Sequence, residues 1–211
     1  MRTPMRLITA ALFAALALAI MVQPAVAARS LSIEGETTLS LNGNMTFRGE
    51  SVEVICPITL VRTMSRFIPK IIGILKGRVI AVILPAPRTC RTSTGTLTEI
   101  TPLEVERGAE EVWRLYYRGF TGTLPSIIKI RLRIAGFRIR IVINILGTPV
   151  ACLFEGEIEN DDNLGREGLL TETTIVEPST LALREGSGLC PRRVEVRGTL
   201  RPLNTVRYRL V

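Results

Sequence analysis

From Ser51 to Leu60 apolar and polar side chains alternate. Val52, Val54, Cys56, Ile58 and Leu60 share one face, and Ser51, Glu53 and Thr59 lie on the other. Period two over this length predicts a half-buried β-strand, with Thr46 to Arg48 preceding it as a partner across Gly49-Glu50. Residues 65–84 are less regular. Pro69 followed by Lys70-Ile71-Ile72 could open a short helix, but two glycines and a run of isoleucines favour strand, kinked at Gly73 or Gly77. Pro85 to Gly95 is expected to be a loop tied by Cys90, and Glu104 to Glu111 a charged connector. A strand from Val112 to about Gly119 then puts Trp113, Leu115 and Tyr117 on one side and Arg114, Tyr116 and Arg118 on the other.

The clearest pattern spans residues 126–159. Ile128, Ile130, Leu132 and Ile134 alternate with Lys129, Arg131 and Arg133. After Ala135-Gly136 the parity flips, and Phe137, Ile139, Ile141, Ile143 and Ile145 become the apolar set around Arg138 and Arg140. A flip across two residues that include glycine predicts a tight hairpin, because glycine tolerates the positive φ such turns need. A third strand, Val150 to Glu159, would turn Cys152, Phe154 and Ile158 inward and Glu155, Glu157 and Glu159 outward. In that meander Arg133 would oppose Arg138 and Arg131 would oppose Arg140, an arrangement of like charges that destabilises a sheet. Arg140 near Glu157 and Arg138 near Glu159 would offset it. Glu159 to Glu167 reads as a polar loop, followed by strands at 169–177, 192–201 and 204–211. In the last two, Val194, Val196, Leu200, Val206, Tyr208 and Leu210 point inward. The fold expected is all-β: an antiparallel β-sandwich or partly closed barrel of about nine to eleven strands.

The first residues change the picture of where this domain works. Arg2 and Arg6 precede an uncharged apolar run from Leu7 to Val22, and Ala25-Val26-Ala27 supplies the small residues of a cleavage site, with Ala28 as the alternative. That order is a cleavable secretory signal, and the run is short for a membrane span. The expected division is a signal peptide over 1–27 and one secreted domain over 28–211. Four cysteines in an exported chain then predict two disulfides among Cys56, Cys90, Cys152 and Cys190. Their similar gaps favour Cys56 with Cys90 and Cys152 with Cys190.

The stretch Val52-Glu53-Val54-Ile55-Cys56-Pro57-Ile58-Thr59-Leu60, the segment from Trp113 to Pro125, and Cys152-Leu153-Phe154-Glu155-Gly156 resemble a group of small secreted actinobacterial β-rich proteins of unknown function. The resemblance implies export and a β fold, and brings no activity or site residue with it.

Candidate chemistry is sparse. The chain has no histidine, which removes the commonest general base, the usual triads and most zinc sites. No GxSxG, P-loop or SxxK motif is present. Glu155 with Glu157, or Glu110-Glu111 beside Trp113, could form a glycosidase pair, but alternating outward acids on a strand ordinarily pair with nearby arginines. Asp161, Asn163 and Glu172 match three positions of a calcium loop, yet Arg166 stands where the turn needs glycine. Asn44-Met45-Thr46 is a formal glycosylation sequon. Trp113, Tyr116, Tyr117 and Phe120 could form a binding platform, although alternation puts Trp113 and Tyr117 in the core. No enzyme, cofactor or metal is therefore expected.

Charge suggests a partner instead. Losing Arg2 and Arg6 leaves 25 basic and 19 acidic side chains, nearly all the basic ones arginine. Lys129, Arg131, Arg133, Arg138 and Arg140, together with Arg193, Arg197, Arg207 and Arg209, could offer an anion-binding face to a glycan, a lipid headgroup or an acidic protein. The compartment argues against nucleic acid. The expectation is a secreted, non-enzymatic β domain with a binding or structural role at the cell envelope or outside the cell. The alternatives are an outer-membrane-type barrel and, behind it, a carboxylate-based hydrolase.

Overall fold

The computed structural model describes residues 30–50, 52–69, 71–73, 75–83, 90–92, 97–102, 113–123, 126–145 and 148–210. The proposed signal peptide and the connector Glu104 to Glu111 lie outside them. The described residues are antiparallel β throughout: β1 (Ser30–Gly35), β2 (Thr38–Arg48), β3 (Glu53–Met64), β4 (Phe67–Pro69), β5 (Leu75–Ile83), β6 (Cys90–Thr92), β7 (Leu97–Pro102), β8 (Arg114–Thr123), β9 (Ser126–Ile145), β10 (Thr148–Leu164), β11 (Leu170–Ile175), β12 (Ser179–Glu185), β13 (Arg193–Pro202) and β14 (Val206–Leu210), with one 3-10 turn among them at Arg166–Gly168. This exceeds the expected strand number because short pieces such as β4 and β6 add to the main strands. No helix among the described residues is long and apolar enough to cross a membrane.

The main sheet closes on itself. Hydrogen bonding runs β2 to β3, β5, β8, β9, β10, β12, β13 and back to β2. At the other end of the long strand β9, the short strands β7 and β6 bridge it to β3. Closure hides most sheet edges, which would otherwise offer unpaired backbone groups. The second sheet, in the order β14-β1-β4, packs over one end of this barrel. Its Leu31, Ile33, Ile68, Val206 and Tyr208 belong to the same continuous core as the barrel's inward side chains. Trp113 packs on Phe137 in that core, with ring centroids 4.3 Å apart.

Strand β9 corrects the expected hairpin. Gly136 has φ +74°, but the chain does not turn back there. Gly156 opposes Phe137 and Ile158 opposes Ile134, so Ala135 and Gly136 together face Glu157 alone. This is a β-bulge, in which one added residue flips the parity just as a hairpin does. Arg133 and Arg138 thus lie along one strand rather than facing each other. A second bulge, between Thr121 and Gly122, leaves Ile128 unopposed and exposed, with Ile127 buried in its place.

The expected polar loop from Glu159 to Glu167 is also corrected, because β10 continues in ladder with β9 as far as Asn163 opposite Lys129. Strand β12 was not expected. Within the stretch 65–84, Phe67–Pro69 and Leu75–Ile83 are strand, in line with the expectation, with a turn at Ile72-Gly73 and a bulge beside Gly77 that leaves Lys76 unopposed. A Cβ on Gly77 would lie 1.9 Å from the Thr63 carbonyl oxygen. That close approach lets the bulge turn Lys76 into the interior.

Candidate functional site

The arginines singled out from the sequence stand on the outer face of the β9–β10 ladder, and the bulge decides their partners. Asp161 lies opposite Arg131, Glu159 opposite Arg133, and Glu155 opposite Arg138. Arg131 donates twice to Asp161, from Nε at 2.8 Å and Nη2 at 3.0 Å. These hydrogen bonds, strengthened by the charge of Asp161 against a desolvation cost, raise the Arg131 pKa above the usual range. Lys129 Nζ lies 4.0 Å from Asp161 Oδ2. Arg133 Nη1 donates to Glu157 Oε2 at 3.0 Å, Arg138 Nε sits 3.2 Å from Glu155 Oε2, and Arg118 reaches Glu159 at 3.2 Å.

The cross-strand charge ladder exists, then, but with different pairings from those expected for Arg138 and Arg140. Arg140 faces Leu153 and Thr101; no ion pair joins it to a described residue. Arg197 reaches Glu177 and Glu195, Arg207 pairs with Glu167, and Arg209 lies 3.0 Å from Glu34. Arg193 is exposed.

Trp113 and Tyr117 are buried in the core, Phe120 packs partly against it, and Tyr116 lies on the outside with the Arg133 guanidinium 5.2 Å from its ring centroid. Glu155 and Glu157 are occupied in the ladder, and Glu110 and Glu111 lie outside the described residues. Asp161 and Asn163 are strand residues, with Asn163 Nδ2 donating to Glu172 at 3.3 Å and to Thr174 at 3.0 Å. Among the described residues no cluster of acids or cysteines could hold a metal. Asn44 is an exposed residue within β2, paired on both sides by β13 and β3. The cysteines pair as expected, Cys56 with Cys90 and Cys152 with Cys190, and none is free.

One polar cluster went unrecognised in the sequence. Arg62 of β3 and Asp162 of β10 form an ion pair inside the barrel, both essentially without solvent exposure. Tyr208 of β14 donates its hydroxyl to the same Asp162 oxygen at 2.7 Å, and Met64 Sδ lies 3.4 Å from that hydroxyl. Thr173 and Asn160 donate to the other Asp162 oxygen at 2.8 and 3.3 Å. Burial opposes the charge on Arg62, but Asp162 more than offsets it and the guanidinium pKa is raised. Burial, then the negative charge of Asp162, pushes the Tyr208 phenol well above its ordinary value. The Arg62 Nε and Asn160 Oδ1 atoms are buried without a partner. Four donors converge on the Asp162 carboxylate and make a clamp that ties β3, β10, β11 and β14 together. The alternation of the sequence carried the signal: extended past Leu60 and Ile158, the inward parity reaches Arg62 and Asp162.

Among the described residues Lys76 is the other buried cation. Its Nζ donates to the Pro69 carbonyl at 2.9 Å and sits 5.8 Å from the Tyr117 ring centroid; burial lowers its pKa. Above the clamp lies an open groove of about 920 Å³, lined by Ile127, Ile128, Leu164, the 3-10 turn and Tyr208–Leu210. Glu167, on its rim, has φ +56°, an uncommon conformation for a residue with a side chain. No family model matches the chain, and no curated protein or solved structure is significantly similar to it.

Proposed function

We propose that this chain is an exported, non-enzymatic β-barrel that acts at the cell envelope or outside the cell, by binding or as a structural element, through its outer surface. The observation that carries this reading is the filled interior. The inward side chains form one packed core crossed by the Arg62–Asp162 clamp, so the barrel resembles a rigid body more than a ligand container. Two disulfides suit an oxidising compartment, and the resemblance of three sequence stretches to small secreted actinobacterial proteins is in keeping with the same reading. The ion-paired outer face of β8–β10 favours a wall facing water. A membrane-spanning barrel presents an apolar band there.

Expression with the native N-terminus, followed by fractionation and thiol labelling, tests this. The expected result is an oxidised, detergent-free protein outside the cytoplasm that associates with envelope material. A reduced cytoplasmic protein would overturn the proposal. So would hydrolytic turnover abolished by Glu155→Gln or Glu157→Gln.

A further inference from the structure

The two sides of the barrel carry charge differently. Between Glu53 and Glu99 the sequence has no acidic residue and seven basic ones: Arg62, Arg66, Lys70, Lys76, Arg78, Arg88 and Arg91. Arg62 and Lys76 are buried. Arg66, Arg78 and Arg91 are exposed, and none forms an ion pair with a described residue. The ladder arginines of β9 mostly face carboxylates, whereas the one acid in β3, β5 and β6 is Glu53 at the start of β3, which lies 3.9 Å from Arg48 of β2.

The same wall concentrates exposed apolar area. Five of the nine large apolar side chains exposed among the described residues lie on it or in the turn that leads into it: Ile55, Ile71, Ile72, Ile80 and Ile83. Their placement follows from the register. Inward burial of Val54, Ile58, Leu60 and Arg62 puts the intervening β3 residues outside. Arg91 stands beside Ile55, Ile83 beside Thr59, and Arg78 beside Thr63. Directly opposed residues share a sheet face, so Ile55, Ile83, Arg78 and Arg91 lie on one outer surface. Ile80 is left unopposed by the shift between Val61 and Arg62, which turns it outward. Ile71 and Ile72, 58% and 65% exposed, lie in the turn that enters β5.

We infer that the outer wall formed by β3, β5 and β6, with the Ile71-Ile72 turn, docks onto the surface of an anionic lipid bilayer. Isoleucine side chains enter the boundary between headgroups and acyl chains while the unneutralised arginines meet lipid phosphates. A bilayer surface satisfies both requirements at once. A soluble anionic glycan would leave the isoleucines in water. This inference rests on the reading of an exported binding barrel and names its partner.

The test uses the oxidised chain from residue 28 onward, which contains the whole core between Leu31 and Tyr208, in sedimentation with phosphatidylcholine vesicles with and without about one-third phosphatidylglycerol. Binding is expected to require the anionic lipid and to weaken as salt screens the charges. Arg78→Gln and Arg91→Gln should each lower partitioning roughly fivefold. Ile71→Ser with Ile72→Ser should lower it by about tenfold or more. Arg133→Gln with Arg138→Gln, on the ladder face, should leave it unchanged. Unchanged melting of the variants confirms that folding is intact.

Three results would overturn the inference: no preference for anionic vesicles, equal losses from the ladder variants, or wall variants that instead dissolve a dimer through this face. Association with intact envelopes is measured alongside. If it persists without vesicle binding, lipid is rejected and the exported binding barrel stands; if both are absent, both fail.

Discussion

Arg62 and Asp162, a hundred positions apart in the chain, meet inside the barrel, and Tyr208 joins them from the sheet that covers its end. A buried ion pair is weak evidence of net stabilisation, but losing one partner strands the other in a medium that solvates it poorly. Asp162→Ala should therefore cost about 3–5 kcal/mol. Arg62→Met with Asp162→Leu should cost less than Asp162→Ala alone, because no buried charge remains. Urea denaturation of the single and double variants measures both. A double variant less stable than Asp162→Ala would show that the pair contributes more than mutual neutralisation.

Two buried groups give the alkaline profile opposite slopes. Lys76 has a lowered folded pKa, so the unfolded chain binds more protons between that value and about 10.4. Stability rises with pH across that window. Tyr208 has a raised folded pKa, so above about 10 the unfolded phenol ionises while the folded one does not. Stability then falls, and Tyr117, also raised by burial, adds to the fall. Denaturation midpoints taken from pH 8 upward check this. Lys76→Met should remove the rise, and Tyr208→Phe should reduce the fall.

Gly136 has no neighbour within 4 Å of a built Cβ, so replacing it tests backbone conformation alone. Gly136→Ala is expected to cost about 1–2 kcal/mol, the price of a left-handed residue with a side chain, and Gly136→Asn less. Hydrogen exchange should show slow amides on both sides of the bulge. Fast exchange centred on Ala135-Gly136 would point to a hairpin turn and count against a continuous β9.

The disulfides join residues 34 and 38 positions apart. Chain-entropy reasoning gives each closed loop about 4 kcal/mol. Serine pairs at Cys56 and Cys90, or at Cys152 and Cys190, should each lower stability by that order in calorimetry. If the Cys152–Cys190 variant is unaffected, the Gly186–Cys190 segment is held against β10 by other contacts.

Much of the fold was legible in the chain. The alternation of Val54, Cys56, Ile58 and Leu60, and of Ile130, Leu132 and Ile134, determined which faces are oily, because a pleated strand turns every second side chain the same way. The even cysteine count and its spacing anticipated both bridges. Parity is blind to two things. A bulge and a hairpin flip it identically, so only the pairing of β10 along all of β9 could tell them apart, and with it which carboxylate each arginine meets. Nor does an inward position say what an inward charge will find there. Arg62 and Asp162 are tolerable in a core only because strands distant in sequence bring a counter-charge and a phenol together, and such partners exist only once the barrel has closed. Lys76 instead finds the carbonyl of Pro69, seven residues back, once the bulge beside Gly77 turns it inward.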